Sequence, residues 1–198
     1  MVLIEGGTFR SKKRKIPSFQ LARYPVSLAL WEKVMGRHQQ GYFQHPLLPV
    51  ESVSWNDCKT FIVKLNDELE ASFRLPTMNE WMYAAQARAT IDKKMKYAGS
   101  NDASEVSWEK KNDFSHLHNG RTKLPNPNGL IGMSGGISEW CSDIQTDSHE
   151  EYGPNGLEWK AFGPYYSAIG KGRIGTHIGT SPSNPSKRIG LRLVRNKN

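Results

Sequence analysis

The chain has 198 residues, of which 37% are hydrophobic, so it can build one well-packed core and does not call for a second. Its mean hydropathy is −0.63, and no stretch approaches the roughly 18 uninterrupted apolar residues of a membrane span. Residues 1–9 lack the basic start of a signal peptide. We therefore predict one domain over residues 1–198, with no membrane span and no signal peptide, and the compartment stays open.

The chain is basic, with a net charge of +8 and a pI near 9.5, which is compatible with an acidic partner. The densest basic run is K-K-R-K at residues 12–15. No basic helix, zinc-ligand spacing or aromatic-basic strand motif accompanies it. We therefore expect a solvated loop there and no nucleic-acid partner.

The residue usage favours a loop-rich fold with free thiols. Eighteen glycines, eleven prolines and six tryptophans accompany few long apolar runs. The two cysteines, Cys58 and Cys141, are too few for a disulfide framework in a chain of this size. Each lies beside apolar or aromatic residues, so we predict two buried free thiols.

The first part of the chain is predicted to form two strands and a helix. The strands are expected over residues 2–9, interrupted by a glycine pair, and over residues 19–26. Ser27 can cap a helix that ends at Gly36. The apolar residues of this helix recur at helical spacing, at Leu28, Trp31, Val34 and Met35.

The middle of the chain carries the two clearest helix signals. Ser54 can cap a helix whose apolar positions fall at i, i+3, i+4, i+7 and i+11. These positions are Cys58, Phe61, Ile62, Leu65 and Leu69. Thr77 and Glu80 then form a capping box ahead of Trp81, in which each side chain would bond the other residue's backbone amide. From residue 93 onward glycine, serine, asparagine and proline recur, and we predict irregular structure with short strands.

A glycine-rich stretch over residues 129–143 reads G-L-I-G-M-S-G-G-I-S-E-W-C-S-D. Gly132, Gly135 and Gly136 can adopt positive φ, so the chain can turn tightly around an ion or a buried ring. Met133 and Trp140 are the expected core anchors of this stretch. It is therefore either an ion site or a structural turn.

Six spaced motifs follow one another along the chain. They are Y-P-V-S-L-A-L-W-E-K-V-M-G (24–36), P-V-E-S-V-S-W-N-D-C (49–58), F-R-L-P-T-M-N-E-W-M-Y-A-A (73–85), Y-A-G-S-N-D (97–102), the glycine-rich stretch and G-L-R-L-V (190–194). In this order they resemble the formylglycine-generating enzyme, or sulfatase-modifying factor, family. The resemblance implies an α+β, C-type-lectin-like fold with two main helices, small twisted antiparallel sheets and much ordered coil.

The same resemblance implies where catalysis would lie. Enzymes of this family oxidise a substrate cysteine with two copper-binding cysteines in the C-terminal segment. An ungapped alignment from residues 190–194 places those positions near Ser167 and Gly172. Cu(I) needs thiolate or thioether ligands, whereas residues 142–198 contain neither Cys nor Met. We therefore expect no such catalysis and no copper cofactor.

The family's calcium loop is also altered. Where it usually reads G-L-Y-D-M-S-G-N-V-W-E-W, this chain has Gly132, Gly136 and Ser138 in place of the Asp, the Asn and the first Trp. Calcium takes about six to eight oxygen ligands. The candidate ligands that remain are Asn112, Asp113 and Glu139. They could form only a weak calcium site. A structural turn is the favoured interpretation, and no cofactor is expected.

The C-terminal segment, about residues 150–195, has the composition of a binding surface. Tyrosine gives a large contact area at low entropic cost, and Ser, Thr and Gly adapt to different partners. The candidate ligand-binding residues are Tyr165, Tyr166, Ser167, Ala168, Ile169, Thr176, His177, Ile178 and Thr180. On composition alone, an ordinary loop with partly buried tyrosines is the alternative.

A second resemblance favours binding. The variable proteins of diversity-generating retroelements use this fold and carry their diversified residues just before a G-F-R-L-like ending, which here is G-L-R-L-V. Several positions where family members often carry Asn hold other residues, as randomised asparagine codons would produce. Those positions are Tyr166, Ser167, Ala168, Thr176, Ile178, Gly179 and Thr180. Trp140 and Arg192, in contrast, remain as parts of the scaffold.

These observations predict a non-catalytic, receptor-type protein with a diversified C-terminal surface. The expected partner is a protein or glycan ligand on another cell or virion surface. The compartment of this protein stays open, with display at a cell or virion surface as one candidate. Two alternatives stay open. One is a copper-dependent formylglycine-generating oxidase-like enzyme, and the other is a structural component of a surface assembly.

Overall fold

Four helices and ten short strands form the part of the chain that the structure, a computed structural model, describes. That part comprises residues 1–9, 14–38, 45–92, 95–107, 122–145, 158–162, 177–180, 183, 185 and 189–196. The helices are α1 (Leu28–Met35), α2 (Trp55–Leu69), α3 (Met78–Asp92) and α4 (Ala103–Val106). The strands are β1 (Val2–Ile4), β2 (Gly7–Phe9), β3 (Arg14–Ile16), β4 (Phe19–Leu21), β5 (Phe73–Arg74), β6 (Ser138–Gln145), β7 (Glu158–Phe162), β8 (His177–Thr180), β9 (Ile189–Gly190) and β10 (Val194–Asn196).

The strands form three small sheets. The first has the order β1-β4-β10-β5 and is antiparallel throughout, with β10 paired to β4 on one side and to β5 on the other. The second is the hairpin of β2 and β3. The third has the order β8-β7-β6-β9, in which β9 runs parallel to β6. Strand β10 thus joins the first sheet, while β7, β8 and β9, which lie within about residues 150–195, belong to the third.

The predicted helix caps of α1 and α2 are confirmed. The hydroxyl of Ser27 accepts from the amide of Leu30 at 3.3 Å, and Gly36 ends α1 with φ of 85°. The hydroxyl of Ser54 accepts from the amide of Asp57 at 3.0 Å, and the Asp57 carboxylate accepts from the Ser54 amide at 2.9 Å. Both helices therefore begin where side chains satisfy backbone donors that have no partner within the helix.

The predicted capping box at the start of α3 is also confirmed, and it is tied to the C-terminal strand. Thr77 Oγ1 accepts from the Glu80 amide at 3.1 Å, and Glu80 Oε2 accepts from the Thr77 amide at 2.8 Å. Arg74 of β5 donates to both Glu80 oxygens, each at 2.7 Å. The same guanidinium donates to Asn196 Oδ1 on β10. One carboxylate therefore links the helix start to the first sheet.

Helix α3 breaks at Ala87, whose φ of 42° and ψ of 150° are not helical. The break leaves backbone carbonyls of the preceding turn without helical donors. Asn126 Nδ2 donates to the carbonyls of Ala84 at 2.8 Å and Ala85 at 3.2 Å, and Asn128 Nδ2 donates to Ala84 at 3.0 Å. Two asparagines from the segment before the glycine-rich stretch thus stabilise the end of the regular helix.

The core consists of two main clusters that meet at β6. Trp140 and Cys141, neighbours on that strand, belong to different clusters because successive strand residues point to opposite faces. Cys58 and Cys141 are buried and free, as predicted, and Met133 and Trp140 are buried anchors. None of the helices that the structure describes combines the length and apolar character needed to cross a membrane.

Two predicted elements differ from the structure. The strand expected over residues 19–26 ends at Leu21, because the carbonyls of Ala22 and Arg23 accept hydrogen bonds from the Arg192 side chain instead of a neighbouring strand. The basic run expected to be a loop contributes β3 from Arg14 onward, paired with β2. Residues 10–13 of that region lie outside the described part of the chain.

Replacement of Glu80 tests the link between α3 and the first sheet. Burial by itself raises the pKa of Glu80, but hydrogen bonds from Arg74 and Thr77 outweigh it and hold that pKa below its ordinary value of 4.5. A carboxyl group with a lowered folded-state pKa stabilises the fold above its unfolded-state pKa, and the contribution is lost as the pH falls through the folded-state pKa. We expect Glu80→Gln to lower the free energy of unfolding by about 1–2 kcal/mol near neutral pH.

The measurement is urea unfolding of both proteins as a function of pH. The difference between them should shrink below the ordinary carboxyl pKa. Glu68→Gln, at an exposed position of α2, is the matched control and should change little at any pH. A Glu80→Gln deficit that stays constant in acid would show that the Glu80 charge does not stabilise this junction.

Candidate functional site

The predicted ligand-binding residues fall into two groups. His177, Ile178 and Thr180 lie on β8, the outer strand of the third sheet within the described part of the chain. The other predicted residues lie outside the described residues: Tyr165, Tyr166, Ser167, Ala168, Ile169 and Thr176. The structure therefore places the backbone of one part of the candidate surface, and the rest stays a prediction.

The candidate segment is joined to the scaffold through β6. Strand β8 pairs with β7, with His177 opposite Phe162 and Thr180 opposite Trp159. Strand β7 in turn pairs with β6, with an irregularity in register between Trp140 and Ile144. On its other side β6 pairs with β9. The contacts that fix β6 in the domain therefore also fix β8, the described part of the candidate surface.

A fully buried ion pair holds β6 in place. Glu139 lies on β6, and Arg192 lies in the C-terminal G-L-R-L-V motif between β9 and β10. The Arg192 Nε donates to both Glu139 oxygens, at 3.1 Å to Oε1 and 2.9 Å to Oε2, and Nη2 donates to Oε1 at 2.9 Å. Both side chains have no solvent exposure. Charges buried in this way are tolerated only when hydrogen bonds satisfy them closely.

The remaining polar atoms of the pair are satisfied by three other parts of the chain. Arg192 Nη1 donates to the carbonyls of Ala22 at 3.0 Å and Arg23 at 2.9 Å, and Nη2 donates to the Ile131 carbonyl at 2.9 Å. The indole of Trp81 on α3 donates to Glu139 Oε2 at 2.6 Å. Every guanidinium N–H therefore has an acceptor, and the pair joins β6, α3, the end of β4 and the glycine-rich stretch.

The glycine-rich stretch turns around Arg192. Gly132, Gly135 and Gly136 have φ values of 75°, 74° and 89°, in the region that favours glycine. The turn directs the Ile131 carbonyl to Arg192 Nη2. The turn thus packs against the Arg192 guanidinium, which supports the structural interpretation of this stretch.

Of the candidate calcium ligands, the structure describes side-chain contacts only for Glu139. Glu139 already accepts hydrogen bonds from Arg192 and Trp81 on its two oxygens. Asn112 and Asp113 lie outside the described residues. Within the described ranges, no group of three or more His, Cys, Asp or Glu side chains could hold a metal ion. The expectation of no cofactor stays a prediction.

Glu139 and Arg192 both lie in motifs that stand out in the sequence, but their pairing was not predicted from it. A usable signal exists, since each is a single charged residue inside an apolar run, I-S-E-W-C and G-L-R-L-V. Charged residues are almost never fully buried unless they are paired. Two such runs of opposite charge in one small domain therefore indicate a buried ion pair.

The two thiols do not form a reactive site. Cys58 packs in one core cluster and Cys141 in the other. Burial raises the pKa of the Cys58 thiol well above its ordinary value, and the nearby Asp57 charge raises it further. A thiol with a raised pKa holds little of the thiolate that copper binding and nucleophilic attack require. Ser167 and Gly172, the positions aligned with the catalytic cysteines, lie outside the described residues.

The N-terminal turn of α2 makes a second connection to the third sheet. The indole of Trp55 donates to the carbonyl of Cys141 on β6 at 3.0 Å. Asn56 Nδ2 donates to Ser183 Oγ at 3.3 Å. Ser183 belongs to the candidate C-terminal segment, so this helix lies against the edge of the candidate surface.

Comparison with known proteins agrees with this architecture. The family model described as Sulfatase-modifying factor enzyme 1-like domain matches residues 1–197. The chain is 26% identical to a protein named Chaperone protein LppX from Paenibacillus barcinonensis, over 100% of this chain and 89% of that protein. Among solved structures, CarF is similar with a TM-score of 0.78 at 20% identity, over 100% of this chain and 98% of that one. Treponema denticola variable protein 1 is similar with a TM-score of 0.77 at 21% identity, over 100% and 92%. The predicted α+β, C-type-lectin-like fold is confirmed.

Removal of Arg192 should be among the most damaging single changes in this chain. Arg192→Met leaves the Glu139 carboxylate buried without its counter-ion, and we expect a loss of about 3–5 kcal/mol in the free energy of unfolding. The double variant Glu139→Gln, Arg192→Met should lose clearly less than the sum of the two single variants, because no buried charge is left unpaired.

Denaturant unfolding of the three variants measures this coupling. Arg195→Met, a partly exposed position on β10, is the matched control and should cost far less. Strictly additive losses would show that the two side chains do not stabilise each other.

Thiol accessibility provides an independent check of the core. We expect neither Cys58 nor Cys141 to react rapidly with Ellman's reagent in the folded protein, and both to react after denaturation in guanidinium, because both are buried. The absorbance of the released chromophore gives the number of thiols that have reacted in the native and in the denatured protein. Rapid labelling of the native protein would contradict the separate, inert positions of the two thiols.

Proposed function

Because the chain belongs to the family of sulfatase-modifying factor enzyme 1-like domains, we propose that it uses the scaffold of this family as a non-catalytic support for a ligand-binding surface. The surface comprises about residues 150–195. Its predicted contact residues include Tyr165 and Tyr166, together with His177, Ile178 and Thr180 on β8. Within this segment, the C-terminal motif with Arg192 belongs to the buried scaffold, whereas β7 and β8 lie on the side of β6 opposite β9.

The observation that carries the proposal is the position of the buried ion pair. Glu139 and Arg192 fix β6 and the C-terminal motif to the rest of the domain. Strands β7 and β8 follow on the side of β6 opposite β9. The partners that the structure describes for this ion pair come from other parts of the chain, so residues of β7 and β8 can change without removing one of those partners. A protein whose surface residues are diversified needs a scaffold that stays folded when those residues change.

The absence of thiols from the C-terminal segment supports a non-enzymatic function. Residues 142–198 contain no soft ligand for Cu(I). The two cysteines of the chain are both buried, in different clusters of the core. Copper-dependent oxidation of a substrate cysteine, the alternative function, would therefore lack its metal ligands.

The ligand is proposed to be a protein or a glycan on another cell or virion surface. The tyrosine, serine, threonine and glycine content of the segment supports recognition of a macromolecule. The similarity to a Treponema denticola variable protein supports diversification of this segment, as a retroelement would produce it. Display of the domain at a surface follows from a partner of that kind.

Substitution of the two tyrosines tests the proposed surface. Full-length protein is first used to select binders from a displayed peptide library and from a glycan array. We expect Tyr165→Ala with Tyr166→Ala to abolish binding of the selected ligands while the Tm stays within about 2 °C, since binding-surface residues contribute little to the core.

Two outcomes would contradict this proposal. Equal losses of binding and Tm would mean that the tyrosines are core residues. Copper-dependent oxygen consumption with a cysteine-containing peptide would show that the chain has the alternative, enzymatic function. A nearby reverse transcriptase gene, with an imperfect repeat of the coding segment that differs at adenines, would support the retroelement origin.

A further inference from the structure

One flank of α2 extends beside the candidate surface. The buried residues of α2 form a single face: Cys58, Phe61, Ile62 and Leu65. Trp55, Lys59 and Val63 recur at i, i+4 and i+8 and therefore lie together along one side of that face. Asn56 lies beside them. We call these four residues the α2 flank.

The α2 flank is fixed to the third sheet at its N-terminal end. Trp55 is half-buried, and its indole N–H donates to the Cys141 carbonyl on β6 at 3.0 Å. Asn56 is exposed and donates from Nδ2 to Ser183 Oγ at 3.3 Å. Ser183 belongs to the proposed binding segment, so the α2 flank contacts that segment at this residue.

The side chains of the flank offer one positive charge beside apolar surface. The Lys59 ammonium lies over the Trp55 ring, 5.5 Å from its centroid, and makes no ion pair with any described residue. Val63, one helical turn further on, is 56% exposed. An ammonium group without a carboxylate partner next to exposed apolar atoms is complementary to a carboxylate beside an apolar side chain. The surplus of 27 Lys and Arg over 19 Asp and Glu favours an acidic partner further.

We propose that the α2 flank is a fixed part of the ligand-binding site, and that it takes a protein ligand whose contacting segment carries Asp or Glu beside an aromatic or aliphatic side chain. The carboxylate pairs with Lys59, and the apolar group packs on Val63 and the exposed part of the Trp55 ring. This inference rests on the proposed function of the C-terminal segment. It adds a specificity-determining contact that does not depend on the diversified residues.

The opposite flank of α2 provides a matched control. Lys64 is exposed, as Lys59 is, but it lies on the other side of the buried face, one turn before Glu68. Lys64→Glu and Lys59→Glu change the net charge of the protein equally. Any general effect of charge on association is therefore the same in both variants, and only a local contact distinguishes them.

The experiment uses the full chain and a displayed library of random peptides as the probe. Selected peptides are synthesised, and their Kd values and association rates are measured by biolayer interferometry over a range of NaCl concentrations. We expect the selected peptides to be enriched in Asp and Glu next to Tyr, Trp, Phe or Leu. Lys59→Glu should weaken their binding about 10-fold and flatten the dependence of the association rate on salt.

The control variants separate this inference from the proposed function. Lys64→Glu should stay within about 2-fold of the unmodified protein, Val63→Ser should weaken binding about 3-fold, and all three variants should keep its Tm because these positions are exposed. Peptides that require Tyr165 and Tyr166 but bind both lysine variants equally would overturn the proposed role of the α2 flank and leave the proposed function intact. Failure to enrich any acidic peptide would also overturn that role. Failure to enrich any peptide or glycan would contradict both proposals.

Discussion

The buried ion pair between Glu139 and Arg192 is the interaction on which the rest of the structure depends. Two charges without solvent contact cost several kcal/mol each to bury, and only a complete set of hydrogen bonds offsets that cost. The pair obtains this set from β6, the C-terminal motif, the turn after β4, α3 through Trp81 and the glycine-rich stretch. These five parts of the chain must all be in place before the charges are satisfied, so the pair specifies their arrangement.

This constraint also explains how a binding surface can coexist with a small, loop-rich core. Among the described strands, β8 pairs with β7, and β7 pairs with β8 and β6. The α2 flank meets the same edge through Trp55 and Asn56. The proposed site therefore combines a segment that can vary with a helix surface that the core holds constant. A fixed Lys59 next to changing neighbours would restrict the class of ligand while leaving its identity free.

Most of the fold could be predicted from the sequence, whereas much less of the candidate site could. The helix starts at Ser27, Ser54 and Thr77 were predicted because each cap bonds an amide only three residues away. The strand over residues 19–26 was predicted too long, since nothing local shows that Arg192 takes the carbonyls after Leu21. The contact residues of the proposed surface came from composition and from resemblance, and most of them lie outside the described residues.

The sequence by itself determined the family, the caps, the turns at positive φ and the two buried thiols, because these depend on neighbouring residues or on a motif order spread along the chain. Only the tertiary structure decided that Glu139 pairs with Arg192, 53 residues away, and with Trp81, 58 residues away. It also decided that Asn56 meets Ser183 across 127 residues. A single charge inside each of two apolar runs indicates a buried ion pair, but the further contacts with Trp81 and between Asn56 and Ser183 depend on how the elements pack and have no local pattern.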